Sequence, residues 1–419
     1  MGNKKKYRFA TEVIHAAQEP HKWNGATTTP VFQTASYVHE TAENLSDTFS
    51  GKKADFIYSR LSNPTNTVLE KKLCMLEGGQ GAVVMSSGMS AITNTCMALL
   101  RAGDEFVSGN SLFMSTYLLF TSVFKKYDIN AKLVPTNDLD ELEKNITAKT
   151  RFIYMETIGN PGMDIPDLKK ISEIAHRYGL PLIVDNTIAT PYLCKPIEIG
   201  ADVVIHSTTK FLSGHGNAPG GVVIDSGSFD WNQEKFPDFK PFIERKGDLA
   251  LLDKIWREHH INFGTTQAPF HSYLTMTGLE TFVLRMERQL ENAMSVANYL
   301  KDRPEVEWVN YPGLSDHPSH ESGKKQFSGK GFGAMLTFGL KDQKTCFDMI
   351  NNLELIYHLA NLGDCKTLII HPWSSQYVSF TDEVKLQLGI KPGLIRLSVG
   401  IEHIKDITND LGCAISKTD

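Results

Sequence analysis

The segment Ser207-Thr208-Thr209-Lys210 follows the apolar run Val203-Val204-Ile205. A lysine just past the carboxyl end of a buried strand is partly desolvated, which lowers its pKa and frees its amine as a nucleophile. Such an amine forms an imine with an aldehyde. Alone, the residue reads as an ordinary loop lysine. The preceding apolar run, Leu182-Ile183-Val184, ends in Asp185. A carboxylate there can hold a protonated ring nitrogen; alone, it reads as a helix cap. Ligands in open α/β sheets bind outside the carboxyl ends of the strands, so the two residues together specify one site.

A phosphate cradle is also legible. Met85-Ser86-Ser87-Gly88-Met89-Ser90 leads into the apolar stretch 91–100. Small residues at a helix start leave backbone N–H groups free for an anion, and the helix dipole assists. Ser207 and Thr209 add hydroxyls beside the lysine, and Tyr58-Ser59-Arg60 offers a phenol and a guanidinium. An amine for an aldehyde, a carboxylate for a pyridinium and a cradle for a phosphate together describe pyridoxal 5'-phosphate (PLP). Two rivals fall short. Ser207-x-x-Lys210 matches one β-lactamase motif, but S-D-N and K-T-G are absent, as are Walker A and G-x-G-x-x-G. Adjacent His259 and His260 would point apart on regular structure, which argues against a metal site.

The elements that must position these residues follow from the apolar pattern. Residues 1–60 are polar and irregular and read as an arm. From 61 to 265, Phe152–Met155, 182–184, 203–205 and 222–224 are short apolar runs. One intervening helix is predicted to open at Pro166, bury Leu168, Ile171, Ile174 and Ala175, and close at Gly179. This alternation predicts a parallel sheet covered on both faces. In 266–419, Leu279, Phe282, Met286, Leu290, Ala293, Ala297 and Leu300 recur at helical spacing and predict one long helix. Strand-like runs at 333–338 and 394–399 complete a smaller α/β domain.

Bulk properties narrow the class. The chain has 419 residues, 41% hydrophobic, with 43 basic and 48 acidic side chains and a formal net charge of −5. That balance gives no nucleic-acid footprint. The Lys4-Lys5-Lys6 run reads as a solvated tail, and Lys6 stands where a myristoylation signal needs Ser or Thr. Six scattered cysteines, no membrane-length apolar run and no signal core point to a cytoplasmic protein.

The motifs resemble those of the Cys/Met-metabolism PLP enzymes. Tyr58-Ser59-Arg60-Leu61-Ser62-Asn63-Pro64-Thr65 is similar to that family's Y-[ST]-R-x-x-N-P-T. Ser87-Gly88-Met89-Ser90-Ala91, Glu156-Thr157 with Asn160-Pro161, Val184-Asp185-Asn186-Thr187 and His206 to Phe211 resemble it too. So do Leu362-Gly363-Asp364, His371-Pro372 and Ile395 to Glu402. The resemblance implies an α/β fold-type I transferase: a large domain with a mostly parallel sheet and helices on both faces, plus a smaller C-terminal α/β domain. It implies Lys210 as Schiff-base lysine and proton shuttle, Asp185 on the pyridinium and Asn160 on the ring hydroxyl. Ser87, Gly88, Met89, Ser207 and Thr209 would hold the phosphate. Arg396 and Asn361 would bind the substrate, an amino acid. Tyr58 and Arg60 would reach a neighbouring subunit's phosphate, so a homodimer or homotetramer with shared sites is implied.

The member is less legible. The family's cofactor-stacking tyrosine is replaced by Phe113, which keeps the ring and loses the hydroxyl. Methionine γ-lyases often carry cysteine where this chain has Ser115. Ser228-Phe229-Asp230-Trp231 with Phe236-Pro237 resembles an insertion of O-acetylhomoserine sulfhydrylases. Against that group's usual H-P-A-S-T-T-H stands His371-Pro372-Trp373-Ser374-Ser375-Gln376-Tyr377, with Trp373 expected near the substrate. The expected reaction is γ-replacement on an activated homoserine. The alternatives are γ-elimination, as in methionine γ-lyase, cystathionine chemistry, and a non-catalytic PLP-binding protein.

Overall fold

In the computed structural model, residues 7–418 are described; Met1-Gly2 and Lys4-Lys5-Lys6 lie outside them. Strands β1 Gly81–Met85, β2 Glu105–Gly109, β3 Asn130–Val134, β4 Thr150–Glu156, β5 Leu182–Asp185, β6 Val203–His206 and β7 Gly221–Asp225 form one sheet. Their order is β1-β7-β6-β5-β4-β2-β3. The pairs β2·β3, β2·β4, β4·β5 and β5·β6 are parallel. The run 222–224 reads like another parallel strand, but β7 is antiparallel to both β6 and β1. The short segment between β6 and β7 has no crossover helix, so β7 returns beside its neighbour in the opposite sense.

Side chains alternate across this sheet, and both faces are apolar. Val203 and Ile205 pack with Phe106 and Phe152 on one face; Val204 joins Leu69 and Leu73 on the other. A helix at Pro64–Glu77 (α1) supplies that second face, and one at Gly88–Leu99 (α2) covers the first. The helix expected to open at Pro166 starts two residues later, at Leu168–Arg177 (α3), because Asp167 caps it by accepting from the Lys170 N–H at 3.2 Å. Gly179 follows its end with φ of +63°, a conformation that favours glycine.

The long helix expected across 279–300 is two helices, Pro269–Glu280 (α4) and Phe282–Lys301 (α5). The chain turns at Thr281, whose hydroxyl bonds the Gly278 carbonyl at 3.3 Å. The apolar spacing runs through the break because Leu279, Phe282 and Met286 all enter the same core. A second sheet holds β8 Trp308–Asn310, β9 Met335–Gly339, β10 Tyr357–His358, β11 Leu368–Ile370 and β12 Leu394–Ser398, ordered β10-β11-β12-β9-β8. It shares its core with the large sheet, since Leu336, Ile395 and Leu397 lie in the cluster that holds Val184 and Val204. The first described helix, Phe9–His15, buries Val13, and Lys72 donates to the Val13 and Ile14 carbonyls at 2.8 and 2.9 Å. The start of the arm is thus tied to its own chain.

Candidate active site

The carboxyl ends of β4, β5 and β6 deliver Glu156, Asp185 and Ser207 to one cavity of about 300 Å³. Because successive side chains alternate, Asp185 and Ser207 face the cavity while Asn186 and His206 turn to the opposite face. There Glu77, the last residue of α1, receives both: its Oε1 lies 2.6 Å from His206 Nε2 and 2.8 Å from Asn186 Nδ2. A single carboxylate behind the sheet therefore links the two strand ends. On the near side, the Thr187 hydroxyl accepts the Ser207 N–H at 2.9 Å, and Asp185 accepts the Thr187 N–H at 2.9 Å.

Lys210 Nζ donates to Asn361 Oδ1 at 2.6 Å. Burial, reinforced by the nearby Arg396 charge, brings its ammonium down from 10.5 to about 8. Burial pushes the Asp185 carboxyl up, opposed by its hydrogen bonds to Thr187. Glu156 is pushed up further, by burial and then by the Asp185 charge, and its Oε1 accepts the Phe113 N–H at 2.8 Å. Arg396, 2% exposed, donates to Asn160 Oδ1 and the Asn361 carbonyl, both at 3.1 Å. Burial lowers it to about 10, so it stays charged at neutral pH.

Ser87, Gly88, Met89, Phe113, Asn160, Asp185, Ser207, Thr209, Lys210, Asn361 and Arg396, all singled out from sequence, line this one cavity. Tyr58 and Arg60 do not; Arg60 donates instead to the Ile261 carbonyl. Two hydroxyls have structural work: Ser87 caps α2 through the Ser90 N–H, and Thr209 Oγ1 accepts the Gly220 N–H at 2.9 Å. The expectation for Trp373 is corrected. It is not on the cavity; its ring lies under Lys385, whose Nζ is 4.3 Å from the ring centroid, and Gln376 faces the cavity instead. Sequence reasoning gave no role to Glu156, Thr187 or Gln376. Glu156 could have been found as a third acidic strand end; Gln376 carried no such signal. His260 Nδ1 pairs with Thr265 Oγ1 at 3.2 Å, and among the described residues no cluster of His, Cys, Asp or Glu could hold a metal.

These residues fit PLP. Among the described residues neither Lys210 nor Asp185 forms an ion pair, although both are largely desolvated on one cavity. A ligand with an aldehyde and a protonated ring nitrogen answers both needs. At the start of α2, a Cβ on Gly88 would lie 2.7 Å from Ser207 Cβ, so the helix N-terminus and Ser207 close together as a cradle. Strand ends, amine, carboxylate and cradle define a PLP-dependent enzyme of the fold-type I architecture.

Comparison with known proteins agrees. The model for Cys/Met metabolism PLP-dependent enzymes matches residues 10–416, and the chain belongs to that family. It is 40% identical to a homocysteine/cysteine synthase of Saccharomyces cerevisiae over 96% of both chains. It is 39% identical to an L-methionine gamma-lyase of Fusobacterium nucleatum over 99% of both. Among solved structures it resembles a Campylobacter jejuni protein assigned as an O-acetylhomoserine (thiol)-lyase. The TM-score is 0.92 at 32% identity, covering 98% of this chain and 100% of the other, and that structure carries a pyridoxyl-lysine monophosphate.

Proposed function

We propose that this enzyme catalyses γ-replacement on O-acetyl-L-homoserine, with sulfide or a thiol displacing acetate to give homocysteine or methionine. The observation that carries the reading is the pairing, on one cavity, of a lysine amine lowered to about 8 with a buried arginine braced by two asparagines. Relatives at 38% identity named O-acetyl-L-homoserine sulfhydrylase support the substrate, and one at 40% named homocysteine/cysteine synthase supports the product.

PLP, when bound, supplies an electron sink for charge at the substrate α-carbon. Arg396 takes the substrate carboxylate as a fork, already oriented by Asn160 and Asn361. Asp185 would hold the ring nitrogen and keep it charged, and its buried carboxyl would gain an ion-pair partner in doing so. Phe113 offers a flat face with no hydroxyl, so Lys210 removes the Cα proton and then a Cβ proton, whose electron pair drives the leaving group from Cγ, and returns protons to Cβ and Cα once sulfur has added. The C–O bond at Cγ breaks with its electron pair leaving on acetate, and the sulfur nucleophile forms the new bond at Cγ. Ile158, Ile188 and Leu362 wall the cavity and limit water, which favours replacement.

A second reading, γ-elimination, is favoured by the 39% identity to a methionine gamma-lyase. Assays with O-acetylhomoserine plus sulfide and, separately, with methionine decide between them. Rapid breakdown of methionine with no homocysteine from the ester would overturn the first reading. Two further points belong to the proposal. Tyr58 and Arg60 lie off their own cavity, which supports a site completed by a second subunit. Six free cysteines are compatible with a reducing cytoplasm.

A further inference from the structure

The loop after β11 turns one side chain into the cavity and one away from it. His371 fixes the loop: its Nε2 donates to the Pro392 carbonyl at 2.7 Å and its Nδ1 pairs with the Ser374 hydroxyl at 2.8 Å. The Ser375 hydroxyl returns to the His371 carbonyl at 2.6 Å, and the Tyr377 N–H to the Pro372 carbonyl at 3.0 Å. In this locked turn Trp373 lies under Lys385 while Gln376 lines the cavity shared by Lys210 and Arg396.

Most other polar side chains on that wall are already engaged. Ser87 bonds Ser90, Thr209 bonds Gly220, Glu156 takes the Phe113 N–H and Asn160 holds Arg396. Among the described residues the Gln376 amide has no hydrogen-bond partner in the protein. The same cavity is lined by Phe113, Ile158, Ala360 and Leu362, none of which has a side-chain donor. A substrate carbonyl entering this region loses water and needs a donor in its place. A thioether sulfur is a weak acceptor and needs none.

We propose that Gln376 donates its amide N–H to the acyl carbonyl of the leaving group, and so sets a preference for ester-activated over thioether substrates. This rests on the γ-replacement reading, and it assigns the specificity to a residue outside the cofactor cradle. Gln376→Met keeps the side chain's length and removes the donor. The holoenzyme and this variant are compared in two ways. The first is kcat/KM for O-acetylhomoserine with sulfide and for methionine. The second is calorimetric Kd for the α-methyl analogues of both, which bind but have no α-proton to lose.

The expected result is a roughly tenfold loss with the ester substrate and a matching rise in Kd for its α-methyl analogue. The thioether arm should stay within about twofold, and the cofactor absorbance should be unchanged. Equal losses in both arms would mark Gln376 as merely structural, and no loss in either would mark it as a bystander; each overturns the assignment. A wild-type enzyme that neither turns over O-acetylhomoserine nor binds its α-methyl analogue would instead overturn the reaction, and the Gln376 role with it.

Discussion

Lys210 shows how one side chain's environment sets its chemistry. Burial and the Arg396 charge place its pKa near 8 instead of 10.5, so the neutral amine predominates above about pH 8 in the folded chain. Apoprotein should therefore take up PLP at a rate that rises through pH 8 and then levels. Stopped-flow absorbance would show this, whereas a rate still climbing toward pH 10 would mean an unperturbed lysine. The stability sign follows the same logic. A lysine with a lowered folded pKa disfavours folding while it is charged, so apoprotein stability should increase between about pH 8 and 10.5. Lys210→Ala should cut turnover by at least about a thousandfold, read by homocysteine formation. Asp185 was legible in the sequence because it ends a buried strand, where period-two alternation fixes the direction of the side chain; Lys210 was legible because it follows closely on the end of the next one, β6 Val203–His206. Gln376 and Trp373 were not legible. Their directions are set by His371 bonding to Pro392, a contact between segments far apart in the chain.

At the scale of elements, the cradle depends on α2 meeting the end of β6. Gly88 is required there by space, since an added Cβ would come within 2.7 Å of Ser207 Cβ and 3.0 Å of its Cα. Gly88→Ala should push Ser207 and the helix start apart. Overpacking of this kind costs about 1–3 kcal/mol. The loss should appear as weaker PLP binding in an absorbance titration; an unchanged affinity would show that the cradle tolerates the extra methyl. Behind the sheet, Glu77 joins α1 to both strand ends through His206 and Asn186, all three 1% exposed or less. Removing one partner of a buried pair costs about 3–5 kcal/mol. Glu77→Ala should lower the urea midpoint of the apoprotein far more than Glu77→Gln, which keeps an oxygen for both donors. Equal midpoints for the two variants would mean that the retained oxygen does not stand in for the carboxylate. This link could not be read from periodicity. Glu77 looks like a surface helix residue in the sequence, and only tertiary packing places it against His206.

At the scale of the molecule, the runs 152–155, 182–184 and 203–205 announced a doubly covered sheet, because strands buried on both faces have no polar side to show. The reversal of β7 and the break at Thr281 were hidden for a shared reason: burial alone shaped those patterns, and burial is indifferent to strand direction and to a single turn between helices. The arm raises the remaining question. Tyr58 is 43% exposed, and its ring lies beside Arg60, 5.8 Å from the guanidinium carbon. Neither residue touches the cavity that contains Lys210. If each serves the site of a second copy, then in a dimer of one Arg60→Ala and one Lys210→Ala subunit both lesions fall in the same site and the other site is intact. Arg60→Ala and Lys210→Ala subunits, each nearly inactive alone, should then recover activity when unfolded together and reassembled. Random pairing makes half the dimers mixed, each with one intact site, so roughly a quarter of wild-type activity should return. Subunits that served only their own sites would recover none, and the shared-site arrangement would have to be abandoned.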